Sequence, residues 1–145
     1  MHETRTYTRP VEDAKDYWWG EGMYQIEFDE QNRILTTRCT GFWDVAEVER
    51  FGKELSATLR RLRAIYPTLS ILSDSREMSL QGKEVAVAFA ALSDDEAMRP
   101  TGRVAILVVR MLNKLQADRM ADSPWVKVFF DEAEARAWLS APAAG

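Results

Sequence analysis

Val104-Ala105-Ile106-Leu107-Val108-Val109 is apolar at every position. A strand with one wet face alternates apolar and polar residues, whereas a strand apolar on both sides belongs inside a parallel sheet covered by helices. Working outward, Leu69 to Leu72 is a second short apolar run, and it passes into the polar Ser73-Asp74-Ser75-Arg76. It reads as a buried strand with a polar carboxyl end. On the other side, Trp125 to Phe130 follows Ser123-Pro124 and reads as a last strand, with Lys127 marking an edge position.

Helical patterns fill the gaps between these runs. The clearest follows Gly41-Phe42-Trp43-Asp44. Asp44 fits an N-cap with Glu47 completing a capping box, and Trp43 with Val48 fits a hydrophobic staple. Val48, Phe51, Leu55, Leu59, Leu62 and Tyr66 then form one apolar stripe at helical spacing until Pro67 ends it. Gly82 to Leu92 reads as a second helix, Met111 to Met120 as a weaker one with Met111, Leu112 and Leu115 inward, and the segment after Asp131 as a closing helix reaching Trp138 and Leu139. Near the start, Tyr24-Gln25-Ile26-Glu27-Phe28 alternates with a period of two. A polar turn at 29–33 joins it to the β-branched run from Ile34 to Thr40, so the two make an antiparallel hairpin. The fold class is α/β: a mixed, mostly parallel five-stranded sheet with an N-terminal antiparallel hairpin and about four helices. Residues 1–21 read as an arm that docks through Trp18 and Trp19, residues 22–140 as one domain, and residues 141–145 as a tail.

Composition narrows the function by exclusion. The chain has 145 residues, 19 basic and 23 acidic, for a net charge of −4. That sign argues against non-specific nucleic-acid binding, which needs cations to displace counterions. Arg60, Arg61 and Arg63 cluster at a helix C-terminus, where they complement the dipole. The single cysteine, Cys39, lies within the second strand as a buried thiol and can form no internal disulfide, which suits the cytoplasm. No apolar run reaches the length of a membrane span. The lone histidine is His2, so neither a zinc site nor a Cys–His nucleophile pair is expected. Gly20-Glu21-Gly22 precedes a strand rather than following one, which is the wrong context for a phosphate loop, and Asp94-Asp95-Glu96 reads as solvated surface. No cofactor is expected. The residues point to a binding module rather than an enzyme.

Two segments stand out as binding candidates. Asp74, Ser75, Arg76, Ser79 and Gln81 lie between a strand end and a helix start, where open α/β sheets hold ligands. Arg76 there either clamps an anion or a partner, or pairs with Asp74 or Glu77, and Ser79 either caps the helix or is modified. An enzyme at this edge would use Asp74, Arg76 and Ser75 or Ser79, and would need a concave pocket. The second candidate is the helix from Gly82, which shows almost no polar face. Val85, Ala88, Phe89 and Leu92 are then a surface for a homodimer, a seat for a small apolar or amphipathic ligand, or an internal contact covered by the arm.

The element order resembles the STAS fold, named for sulfate transporters and anti-anti-sigma factors, in its SpoIIAA-like branch. The features that carry the resemblance are the hairpin ending in Gly41-Phe42, the long helix after Asp44, the strand ending Leu72-Ser73-Asp74-Ser75-Arg76, and the C-terminal run from Val128 to Leu139. The resemblance implies a protein-interaction or ligand-binding domain with a protein partner. It also implies a phosphorylated serine just before the glycine that opens the second helix. Aligned on Gly82, that position is Gln81 and the motif's aspartate is Ser79. Glutamine accepts no phosphoryl group, so the phospho-switch is not expected here.

Overall fold

The computed structural model describes residues 17–19, 24–95, 98, 99, 101–109, 114, 115 and 124–142. Along the chain these form β1 (Tyr17–Trp19), β2 (Tyr24–Asp29), β3 (Ile34–Gly41), α1 (Val45–Ile65), β4 (Ser70–Met78), α2 (Lys83–Asp94), β5 (Val104–Leu107), β6 (Val126–Phe129) and α3 (Glu132–Ser140). The strands build one six-stranded sheet in the order β1-β2-β3-β4-β5-β6. The β1/β2 and β2/β3 pairs are antiparallel and the remaining pairs are parallel. All five expected strands are present. Tyr17–Trp19, read from the sequence as part of an arm, adds a short strand beside β2, while the docking expected of its tryptophans lies outside the described side chains. Of the helix expected over 111–120, only Lys114 and Leu115 are described, which leaves three helices among the described residues. None of these is long and apolar enough to cross a membrane.

Strand alternation distributes the core to both sides of the sheet. Leu35 and Ile71 pack with Val48, Phe51, Leu55, Leu59 and Val85 of α1 and α2. Their sequence neighbours Ile34 and Leu72 pack with Ala105, Leu107 and Phe129 under Ala135 and Leu139 of α3. Burying each large side chain contributes about 1.5–3 kcal/mol, so the stripe, more than intrinsic propensity, holds α1 in place. Asp44 caps α1 by accepting from the Glu47 N–H at 2.8 Å. The expected capping box is only half made, because the Glu47 carboxylate bonds to Arg50. Asp131 caps α3 in the same way, accepting from the Glu134 N–H at 2.9 Å.

The surface expected at Val85, Ala88, Phe89 and Leu92 is turned inward. Val85 is buried, and the other three pack against the core of the same chain. Phe89 meets Trp43 and Phe51 at ring-centroid distances of 5.2 and 6.3 Å. Leu92 lies against Gly52, where a Cβ would stand 2.6 Å from its Cδ2. A glycine in the middle of α1 thus lets α2 approach closely. The four residues occupy i, i+3, i+4 and i+7, the spacing of an inward stripe. The large apolar side chain that α2 shows to solvent is Val87.

Candidate functional site

The strand expected to end in the polar Ser73-Asp74-Ser75-Arg76 includes that segment, and it runs two residues further, to Met78. The polar tail of β4 pairs with the equally polar tail of β3: Arg38 lies opposite Asp74, Thr40 opposite Glu77 and Gly41 opposite Met78. Two steps on β3 therefore match three on β4, which places a bulge at Ser75 and Arg76. A bulge adds a residue and re-aims its side chains. Here it turns Arg76 back onto Asp74. The Arg76 backbone N–H donates to Asp74 Oδ1 at 3.2 Å, and its guanidinium forks onto both carboxylate oxygens at 3.0 and 2.9 Å.

From this pair a line of alternating charge crosses four elements. Glu27 on β2 lies 3.9 Å from Arg38 on β3, and Arg38 lies 3.6 Å from Asp74. Arg76 also reaches Glu132 of α3 at 2.9 Å, and Glu132 accepts from Arg136 at 2.8 Å. Burial would raise the Asp74 pKa, but the hydrogen bonds from Arg76 and the nearby Arg38 charge outweigh it and hold the carboxyl below its ordinary range. The Arg136 hydrogen bond, aided by Arg76, holds Glu132 low as well against partial desolvation. Beside this line a cleft of about 500 Å³ opens at the carboxyl ends of β3 and β4, lined by Gln25, Arg38, Thr40, Asp74, Arg76 and Glu77 among others.

Next to the cleft, a set of hydrogen bonds ties together the two loops that leave these strands. Gly41 turns the chain with φ 83°, the left-handed region that favours glycine. Its carbonyl accepts from the Ser79 N–H at 3.1 Å and from Gln81 Nε2 at 2.9 Å. The Trp43 N–H donates to Gln81 Oε1 at 2.9 Å, and Gln81 Nε2 also donates to the Ser79 carbonyl at 2.6 Å. One amide therefore grips the peptide groups on both sides of Phe42. Trp43 anchors the turn from below: it is buried, its Nε1–H donates to the Thr40 carbonyl at 2.7 Å, and Tyr24, Phe51 and Phe89 surround its ring. Phe42 points outward with 62% exposure, Leu80 is 42% exposed and Val45 37%. The Phe42 ring passes 3.9 Å from where a Gly82 Cβ would stand. An exposed aromatic on a hydrogen-bonded loop is a preorganised contact.

The five sequence candidates therefore divide. Asp74 and Arg76 belong to the charge line, whereas Ser79 and Gln81 belong to the loop clamp. Ser75 sits in the bulge, and its hydroxyl bonds to neither group. Ser79 does not cap α2, because the cap position is Gly82 and carries no side-chain bond. The Arg76 fork is filled by Asp74, with Glu132 on its far side, so of the two roles open to Arg76 in the sequence the structure shows the pairing with Asp74. The charge line is a run of ion pairs, and the lowered pKa values of Asp74 and Glu132 follow from that pairing. The Cys39 thiol is pushed well up by burial, with Asp74 and Glu47 adding to the effect, so it stays protonated. Sequence reasoning missed Glu27, Arg38, Glu132, Arg136 and Phe42. The alternation of β2 carried the signal for the first two, since its wet face continues across the hairpin onto Arg38. Set against family models, curated proteins and solved structures, the chain finds no match in any of the three.

Proposed function

We propose that this chain is a STAS-like, non-enzymatic interaction module, without a serine phospho-switch, that docks a protein partner at the carboxyl end of its parallel strands. The observation that carries this reading is Phe42: 62% exposed, and flanked by two peptide groups that one side chain holds. Anchors of this kind, rigid and aromatic, dominate the energy of protein interfaces. The polar cleft beside it supplies donors and acceptors for a rim. Gln81, at the position where the resemblance implies a phosphorylated serine, supports the missing switch, because its amide is engaged in holding the loops. A cytoplasmic setting fits the single buried thiol.

The test is photo-crosslinking in cells with a benzoylphenylalanine at position 80. Ile65, 59% exposed at the far end of α1, serves as the control. A discrete adduct at position 80 that disappears on Phe42→Ser and does not form from position 65 is the expected result. No adduct at 80, or equal labelling from both ends, overturns the proposal. The apolar-ligand alternative gains nothing from the cleft, whose lining is mostly charged or polar.

A further inference from the structure

Resting on the docking reading above, we infer that the segment docking at Phe42 is a basic amphipathic helix. The patch is apolar at its centre: Phe42, Val45 and Leu80 are exposed, and the Gln81 clamp and Gly82, which follow Leu80 in the chain, hold its loop against the turn that carries Phe42. The charged groups on the segments that form it (41–45 and 77–84) are Asp44, Glu77, Lys83 and Glu84, all exposed. Three carboxylates against one ammonium leave the rim net negative, and Arg76, one residue before Glu77, has its charge matched by Asp74 and Glu132. A partner that buries Phe42 must bring apolar side chains to it, and cations for the carboxylates around it. Apolar residues at i, i+3, i+4 and i+7 with Lys or Arg between them meet both demands on one helix face. An acidic or purely apolar segment meets only one.

The experiment uses two fluorescent peptides of about 14 residues, roughly four helical turns. One is built from Leu and Lys in amphipathic order, and the other has every Lys replaced by Glu. Binding to the full chain is read by anisotropy and located by amide chemical shifts. The Leu/Lys peptide is expected to shift residues 41–45 and 77–84. Its affinity should fall about tenfold or more in Phe42→Ser/Leu80→Ser and also in Glu77→Lys/Glu84→Lys, the size of change expected when a hot spot is lost. All four substituted positions are exposed, and the near-ultraviolet signal of the aromatic side chains, buried Trp43 and Tyr24 among them, reports whether each variant has kept its fold. If the Leu/Glu peptide takes the patch instead, the basic-partner inference falls while the docking reading stands. Binding that survives the double variants, or that spreads over the whole acidic surface, also overturns it. So does self-association through the patch, seen as a dimer in sedimentation that Phe42→Ser dissociates. If neither peptide binds, the inference falls, and a missing position-80 adduct then separates failure of the docking reading from failure of the partner class.

Discussion

Replacing Gln81 by alanine removes a side chain that joins the β3–α1 turn to the loop before α2. The hydrogen bonds from the Trp43 N–H, to the Gly41 carbonyl and to the Ser79 carbonyl go with it. A typical bond contributes about 1 kcal/mol net. The Ser79 carbonyl is exposed and water can replace its partner, but the Trp43 N–H and Gly41 carbonyl are partly buried. The expected loss is therefore about 2 kcal/mol. For a chain of this size that lowers the melting temperature by about 6 °C. Urea unfolding followed by tryptophan fluorescence measures it, and an unchanged m-value certifies that the same surface is exposed on unfolding.

Gln81→Glu sharpens the test. It keeps the acceptor for Trp43 but sets a carboxylate against the Gly41 and Ser79 carbonyl oxygens, so at neutral pH it should be less stable than Gln81→Ala. The folded state then favours the protonated acid, which raises its pKa above the unfolded value. Relative to the parent, the variant's stability is therefore fullest below about pH 4 and falls as pH rises through the folded value. An alanine variant within about 0.5 kcal/mol of the parent, or a glutamate variant that outlasts it at neutral pH, would refute the clamp.

The remaining expectations concern the same end of the sheet and its supports. Asp74 is held low, so its pairing stabilises the fold above the ordinary carboxylate pKa near 4 and that contribution is lost as pH falls through the lower folded value. Asp74→Asn should flatten this part of an acid-unfolding profile, leaving the share of Glu132, whose pKa is also lowered. A profile of unchanged slope would count against the pairing. Gly102→Ala should cost about 1–3 kcal/mol in urea unfolding, because its Cβ would stand 2.2 Å from Ser70 Oγ and 2.8 Å from the Leu69 carbonyl oxygen. Gly82→Ala, whose Cβ meets only the Phe42 ring at 3.9 Å, should cost no more than about 1 kcal/mol, the loss of a favoured N-cap residue; a cost at Gly82 above that at Gly102 would discredit the packing argument.

The sheet could be read from the sequence because its evidence is local. Tyr24, Ile26 and Phe28 alternate within one strand, and Val104 to Leu107 is apolar within one strand, although the apolar run goes two residues past its end; neither reading needs a distant partner. The polar tail of β4 was legible as a strand end as far as Arg76, but its length was not. Glu77 and Met78 belong to the strand because they pair with Thr40 and Gly41 of β3, which no local pattern shows. The charge line is less local still. Arg76 and Glu132 are 56 residues apart, and only the pairing of Arg38 with Asp74 brings Glu27 to the same row of groups. On α2 the difficulty was alanine. Ala86, Ala90 and Ala91 count as apolar in a composition, yet alanine carries little surface to bury and is the best helix former at exposed positions. Without them the inward stripe of Val85, Ala88, Phe89 and Leu92 is an ordinary one.

Gln81 shows why a departure from a motif can carry structural information of its own. Judged against the position of a phosphorylated serine it is merely an unreactive substitute. In the fold it spans a gap that serine cannot. Its carboxamide offers an acceptor to the Trp43 N–H and a donor to the Gly41 carbonyl at the same time, on an arm two methylenes long. A serine hydroxyl can also donate and accept at once, but its oxygen sits directly on Cβ, two bonds nearer the backbone than the carboxamide atoms, and so falls short of both groups. Gln81→Ser should therefore release the turn that presents Phe42. On the proposed reading, the missing switch and the rigidity of the Phe42 loop follow from the same side chain.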